Sequence, residues 1–102
     1  MKNKLEKGQI LRIRFPGMKE THIRPAVVIS TPPEIRVVPL RTSKFHRSDL
    51  HTVMVEKDES ELDRKVSADC KNAVSIDKSE IIGQPLAQLD CEKLNQIIRK
   101  NQ

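Results

Sequence analysis

The chain contains 102 residues, with 19 Lys and Arg against 14 Asp and Glu. This length predicts a single domain over residues 1–102 with one modest core, and it excludes a deep cleft between two lobes. No run approaches the roughly 18 apolar residues of a membrane span, and residues 1–7 lack the apolar core of a signal peptide. We therefore expect a cytoplasmic protein in which Cys70 and Cys91 are reduced thiols.

Positive charge is concentrated in the first half of the chain. Residues 1–50 contain 11 basic residues (Lys and Arg) and 4 acidic residues (Asp and Glu), whereas residues 51–102 contain 8 basic and 10 acidic residues. A basic half of this kind indicates a surface that faces a polyanion. Because the aromatic residues are limited to Phe15 and Phe45, phosphate contacts rather than base stacking would dominate nucleic-acid binding.

The first two apolar segments predict β-strands. Residues 9–15 alternate, with Leu11 and Ile13 on one face and Arg14 on the other, which is typical of a half-buried strand. Residues 24–30 form a continuous run rich in β-branched side chains, as expected for a strand that is buried on both faces.

Further strands are predicted along the middle of the chain. Residues 35–40 form a third strand that we expect Pro39 to close, and residues 51–56 alternate again. Weaker candidates span residues 66–70 and 72–76. Short strands separated by turn residues predict a mainly β fold, a small antiparallel barrel.

Helical periodicity is confined to the end of the chain. Asp90 suits the N-cap position, and Leu89 with Leu94 can form a hydrophobic staple. Ile97 and Ile98 extend the apolar stripe, which we expect to pack on the chain's own core rather than across an interface. The preceding Gly83 and Pro85 are interpreted as a break that separates this helix from the strands.

The sequence contains no motif of a common metal or cofactor site. It has no phosphate-cradling glycine loop, no HExxH and no CxxC. The histidines, His22, His46 and His51, have no ligand-like spacing, and the acidic residues 56–63 lack the glycine and final glutamate of a calcium loop. We predict neither a metal nor a cofactor.

Arg24 and Thr42 are predicted to meet at one end of a hairpin. Arg24 opens the second strand and Thr42 follows the third, so antiparallel pairing across residues 31–33 would bring them together. A guanidinium beside the hydroxyls of Thr42 and Ser43 is suited to bind a phosphate. The alternative is that Arg24 is simply an exposed charge. Further substrate contacts are assigned to Arg14, Arg41, Lys44 and His46, with Arg47 nearby.

A characteristic series of segments runs through the chain. The series begins with Gly8-Gln9-Ile10 and Phe15-Pro16. It continues with Arg24-Pro25-Ala26-Val27-Val28-Ile29-Ser30 and then with Pro39-Leu40-Arg41-Thr42-Ser43. Residues 69–76 and Ile82-Gly83 then lead to the terminal helix. Over about residues 8–99 this series resembles the MazF/PemK-like toxin family of type II toxin–antitoxin systems. The run at residues 24–30, taken with the later Thr-Ser pair, is its most specific part.

This resemblance implies both a fold and an activity. The implied fold is an SH3-like barrel of the Kid/MazF/CcdB type, assembled as a homodimer. The implied activity is that of a sequence-specific endoribonuclease, an mRNA interferase, which cuts single-stranded RNA without a metal. Attack by the 2′-hydroxyl would leave 2′,3′-cyclic phosphate and 5′-hydroxyl ends. A cognate antitoxin with a disordered, often acidic tail would occupy the RNA groove.

The resemblance also assigns roles to individual residues. Arg24 matches the catalytic arginine of the family, Thr42 matches its catalytic threonine, and Ser43 is placed to help bind the phosphate. We favour an electrostatic role for Arg24 on the phosphoryl oxygens, with proton donation to the leaving oxygen as the alternative. Thr42 would orient the 2′-hydroxyl or the phosphate, and His46 is a rival candidate for the base because imidazole titrates near neutrality.

Two other functions stay open at this point. Gln9, Arg41 and Val66 depart from the family pattern, and Val66 stands where a serine is frequent, which puts substrate contacts from that strand in question. The first alternative is a non-catalytic CcdB-like inhibitor that acts on DNA gyrase by protein contact. The second is an inactive nucleic-acid-binding barrel. Arg24 with Thr42 favours the nuclease over the inhibitor, and the shortage of aromatic residues disfavours the inactive barrel.

Overall fold

Seven strands and a C-terminal helix form the part of the chain that the structure describes. The computed structural model describes residues 5–15, 23–41, 52–56, 62 and 65–101. The strands are β1 (Gln9–Arg14), β2 (Ile23–Ser30), β3 (Ile35–Arg41), β4 (Thr52–Val55), β5 (Val66–Asp69), β6 (Val74–Ile76) and β7 (Ile81–Gln88), and the helix is α1 (Cys91–Asn101). Two 3-10 turns, Cys70–Asn72 and Lys78–Glu80, join β5 to β6 and β6 to β7.

The strands pair antiparallel in the order β4-β5-β3-β2-β1-β7, and β6 also pairs with β3. The predicted β2–β3 hairpin is confirmed, since Ala26 pairs with Pro39 and Val27 with Val38. On its other edge β3 pairs with β6 in its first half and with β5 at Leu40 and Arg41. The mainly β fold with antiparallel strands and a terminal helix agrees with the sequence prediction.

The central strands bury side chains on both faces. Val27 and Val28 are both fully buried, yet they belong to separate clusters on opposite faces of β2. The helix-side cluster contains Ile10, Val27, Ile29, Val38, Leu40, Val53, Val55, Val66, Ala68, Cys70, Leu89 and Ile97. The opposite cluster contains Leu11, Ile13, Phe15, Ala26, Val28, Ile35, Val37 and Ile76. This arrangement confirms the prediction that β2 is buried on both faces.

Helix α1 begins and packs as its sequence predicts. The Asp90 carboxylate accepts a hydrogen bond from the Lys93 backbone N–H at 2.8 Å, which satisfies one of the unpaired donors of the first turn. Ile97 is fully buried in the helix-side cluster, and Leu94 and Ile98 pack against it. The apolar stripe therefore packs on the chain's own core.

Two lysines of α1 also cover the outer edge of β4, which lies at one end of the strand order. Lys93 Nζ donates to the Met54 carbonyl oxygen at 2.8 Å, and Lys100 Nζ donates to that of Thr52 at 2.9 Å. Carbonyl groups on an edge strand otherwise offer a template for pairing with another chain. These contacts therefore protect the edge as well as anchoring the helix.

Several predicted boundaries are wrong. Gly83 and Pro85 do not separate the strands from the helix, because β7 runs through both and absorbs them where its register shifts between the pairs Ile10–Ala87 and Arg12–Ile82. Pro39 does not close β3, which continues to Arg41. In addition, Cys70 and Asn72, which the sequence predicts as strand ends, lie in a 3-10 turn. The predicted strand residue His51 lies outside the described residues.

Candidate nucleic-acid interface

Two of the predicted phosphate-binding arginines lie on one face at the same end of the β2–β3 pair. Arg24 is near the start of β2 and Arg41 ends β3, and both are exposed. The last pair at this end joins Ala26 to Pro39, two residues from each arginine. Because side chains two positions apart share a face of a strand, Arg24 and Arg41 face the same side of the hairpin.

An acidic residue of β5 holds Arg41. Arg41 Nε lies 3.0 Å from Asp69 Oδ2, and the exposed fractions of the two side chains are 54% and 17%. The same Asp69 oxygen accepts a hydrogen bond from Asn72 Nδ2 at 2.8 Å. The carboxylate therefore joins the end of β3 to the 3-10 turn that follows β5.

The face that carries Arg41 continues across two further strands. Arg41 pairs with Ser67 on β5, and Ser67 pairs with Met54 on β4. Ser67 is only 7% exposed, and its hydroxyl donates to Met54 Sδ at 3.6 Å. Arg41, Ser67 and Met54 thus form one row of cross-strand neighbours.

Sequence reasoning did not assign Ser67 or Asp69 to the site. Both alternate along β5 with Val66 and Ala68, which belong to the helix-side core. The signal that could have found them is this alternation, because it turns Ser67 and Asp69 toward the face of Arg41.

Two of the departures from the family pattern have structural explanations. Val66 is 1% exposed and pairs with Val55, so this position serves the core while the neighbouring Ser67 faces the arginines. Gln9 is buried at the start of β1, and its side-chain oxygen accepts a hydrogen bond from the Glu6 N–H at 3.0 Å. Since Arg24 pairs with Ile13 near the other end of β1, Gln9 lies at the far end of the strand from Arg24.

Arg14 lies at the same end of the sheet but on its opposite face. It is exposed and pairs with Ile23, whereas the preceding Ile13 pairs with Arg24. Alternation along β1 therefore turns Arg14 away from Arg24, and its substrate contact stays a prediction. The remaining predicted site residues, Thr42, Ser43, Lys44 and His46, lie outside the described residues. The approach of Arg24 to Thr42 likewise stays a prediction.

A separate cavity lies against β1 and β7. It has a volume of about 230 Å³ and is lined by Leu5, Gln9, Leu11, Lys78, Ile81, Gly83 and Pro85. Within the described ranges, no group of three His, Cys, Asp or Glu residues is arranged to hold a metal ion. No helix in those ranges is long and apolar enough to cross a membrane.

These features define a class of protein: a small antiparallel β domain with a packed C-terminal helix and an arginine-bearing sheet face. The family model described as PemK-like, MazF-like toxin of type II toxin–antitoxin system matches residues 6–100. The chain belongs to this toxin family, as the sequence predicts. A comparison with curated protein sequences found no match.

Solved structures of three mycobacterial chains share the fold. An endoribonuclease in complex with its cognate antitoxin, from a mycobacterial species, superposes with a TM-score of 0.72 at 18% identity, over 96% of this chain and 91% of that one. The Mycobacterium tuberculosis toxin MazF-mt6 gives a TM-score of 0.70 at 14% identity, over 91% of each chain. A further structure, of an endoribonuclease from a mycobacterial species, gives a TM-score of 0.70 at 18% identity, over 97% of this chain and 88% of that one. The enzyme class expected from the sequence agrees with the class of these endoribonucleases.

Proposed function

We propose that this toxin is a sequence-specific endoribonuclease that cleaves single-stranded RNA by attack of a 2′-hydroxyl on the adjacent phosphorus. The observation that carries the proposal is the exposed pair Arg24 and Arg41 on one face of the β2–β3 hairpin. Two guanidinium groups facing one side are suited to a phosphate, since each offers several N–H donors in a fixed plane.

Arg24 would act on the charge that develops at the phosphoryl oxygens. When the 2′-oxygen attacks, negative charge builds on these oxygens, and a preorganised guanidinium stabilises it through charge-assisted hydrogen bonds. Pairing of Arg24 with Ile13 on β1 supports this role, because a regular strand places the start of its side chain rigidly.

Proton transfer would involve the segment that follows β3. Thr42 is joined directly to Arg41 in the chain, and we assign it to orient the 2′-hydroxyl or the phosphate. His46 is the alternative base, which would take the 2′-hydroxyl proton as the new O–P bond forms. The P–O5′ bond then breaks and the leaving oxygen gains a proton from water or, in its alternative role, from Arg24, which yields 2′,3′-cyclic phosphate and 5′-hydroxyl ends.

The partners proposed for this toxin are RNA, a cognate antitoxin and a second copy of the chain. The net charge of +5 and the excess of Lys and Arg in residues 1–50 support a polyanionic partner. An antitoxin with an acidic segment would compete with RNA for the arginine face. We place this activity in the cytoplasm, where mRNA is available.

An RNA cleavage assay in EDTA tests the proposal. Purified protein is incubated with a mixed-sequence single-stranded RNA, and the product ends are identified. Wild-type protein should yield cyclic-phosphate ends, and Arg24→Ala should slow cleavage by about 100-fold or more, as expected for loss of a charge-stabilising donor. Thr42→Ala should also slow it.

Arg12→Ala is the matched control, because Arg12 is an exposed arginine of β1 that pairs with Pro25 and not with the arginine face. It should retain nearly full activity. Undiminished cleavage by folded Arg24→Ala protein would contradict the site assignment. Gyrase inhibition without cleavage would favour the CcdB-like alternative, and RNA binding without cleavage would favour the inactive barrel.

A further inference from the structure

We propose that Asp69 is a positioning residue that orients Arg41 toward the RNA phosphate, an inference that rests on the proposed nuclease function. Its carboxylate oxygen lies 3.0 Å from Arg41 Nε, on the face that also carries Arg24. Asp69 acts through Arg41 and does not itself contact the substrate.

The carboxylate is held more firmly than the guanidinium that it binds. Asp69 is 17% exposed, against 54% for Arg41. Asn72 Nδ2 donates to the same carboxylate oxygen at 2.8 Å, and the Asp69 backbone pairs with Thr52 on β4. Three elements therefore fix the position of the acceptor, whereas the arginine reaches it from the end of β3.

The contact leaves the arginine able to bind an anion. Asp69 engages Nε, which is one of the five N–H donors of the guanidinium, and the donors of the terminal amino groups lie along the other edges of that plane. A guanidinium fixed through one edge loses less conformational freedom when it binds a phosphate through another. Asp69 therefore prepares Arg41 for a two-donor contact.

Asp69 also lowers the positive charge of the face that carries Arg24 and Arg41. Without its charge, the face would be more positive and would attract RNA more strongly, but Arg41 would no longer be oriented. Loss of Asp69 should therefore strengthen binding and slow turnover, two effects of opposite sign. A residue that only stabilised the fold would not produce this combination.

Asp69→Asn tests the assignment because it removes the charge and keeps the shape. We expect kcat to fall about 5- to 10-fold because Arg41 is no longer oriented. KM should also fall, because the more positive face binds RNA more strongly. For binding of a non-cleavable oligonucleotide with a 2′-deoxy scissile residue, the slope of log K against log salt should steepen by up to about 0.7, since one more arginine charge is available to displace counterions. Asp69→Glu should restore part of the lost kcat.

Asp77→Asn is the matched control for the change in net charge. Asp77 follows β6, which pairs with β3 at Ile35, the opposite end of β3 from Arg41. This variant should leave kcat and the salt slope at wild-type values. Arg41→Lys retains the charge but lacks the planar donor set, so it should lower kcat without steepening the slope.

The outcomes separate this inference from the proposed function. If the wild type cleaves RNA and Asp69→Asn matches Asp77→Asn in kcat and salt slope, the positioning role is overturned and the nuclease function stands. If the wild type does not cleave, the nuclease function fails, and the salt slopes of the two variants still decide whether Asp69 controls Arg41. If Asp69→Asn does not fold, Arg41→Lys decides, and an unchanged kcat there overturns the inference.

Discussion

Truncation of Ile97 tests how far the helix contributes to the stability of the β domain. Ile97 is 0% exposed and is the one side chain of α1 that is fully buried among the described residues. It belongs to a cluster with residues from all of β1 to β5, so the helix completes this core. Ile97→Ala removes three carbon atoms from a site that rigid strands surround and that cannot easily collapse.

The expected loss follows from the buried volume. Each buried methylene contributes about 0.8 kcal/mol, and the cavity left behind adds to the transfer term, so we expect a loss of about 3–4 kcal/mol. A domain of this size has a total stability of roughly 5–15 kcal/mol, so the variant loses a large share of it. With an unfolding entropy of about 2.1 cal/mol/K per residue, Tm should fall by about 14–19 °C.

Urea and thermal unfolding followed by circular dichroism measure this change. Gln96→Ala is the control, because the neighbouring Gln96 is exposed on the same helix and alanine is at least as good a helix former. Its stability should change by less than about 0.5 kcal/mol. A loss below about 1 kcal/mol for Ile97→Ala would refute the view that α1 closes the helix-side core.

Three further predictions concern the turns, the helix cap and the response to salt. In a urea titration, Gly8→Ala should destabilise the fold by about 2 kcal/mol, because φ is +91° and an added Cβ would lie 2.6 Å from Gln88 Nε2. In the same titration Gly83→Ala should lose only about 1 kcal/mol, because φ is +73° but open space surrounds the position. Asp90→Ala should lower the free energy of unfolding by about 1 kcal/mol, because it removes the hydrogen bond to the Lys93 N–H, whereas Asp90→Ser should retain most of that stability. Equal Tm values for the two variants would contradict the capping role. RNA affinity measured by fluorescence anisotropy should fall with a log–log salt slope of about −0.7 per phosphate contacted, and a flat response would contradict phosphate-dominated binding.

Strand and helix positions could largely be predicted because their signals are local. The β-branched run of β2 and the apolar stripe of α1 each identify the buried side chains without reference to the rest of the chain. Proline and glycine were misleading at Pro39 and Gly83, since both are tolerated inside these strands. At Gly83 the reason is that the register of β7 shifts at this point, and such an irregularity accommodates the positive φ of a glycine.

The arginine face was only partly predictable. Antiparallel pairing across residues 31–33 follows from the short connection, so the position of Arg24 near the end of β3 could be predicted. Nothing local to β5, however, indicates that β3 changes partners from β6 to β5 at Leu40, and this change is what brings Asp69 to Arg41. Contacts between residues 28 positions apart depend on this long-range register.

The sequence by itself determined the family, the mainly β class, the capped terminal helix and the basic character of the first half. These properties reside in composition, in short-range periodicity and in one ordered set of segments. The tertiary structure alone decided that Arg24 and Arg41 share a face, that Arg14 lies on the other, and that Asp69 holds Arg41. The physical reason is that register turns each strand residue to one side or the other, and register is set by packing of the whole sheet.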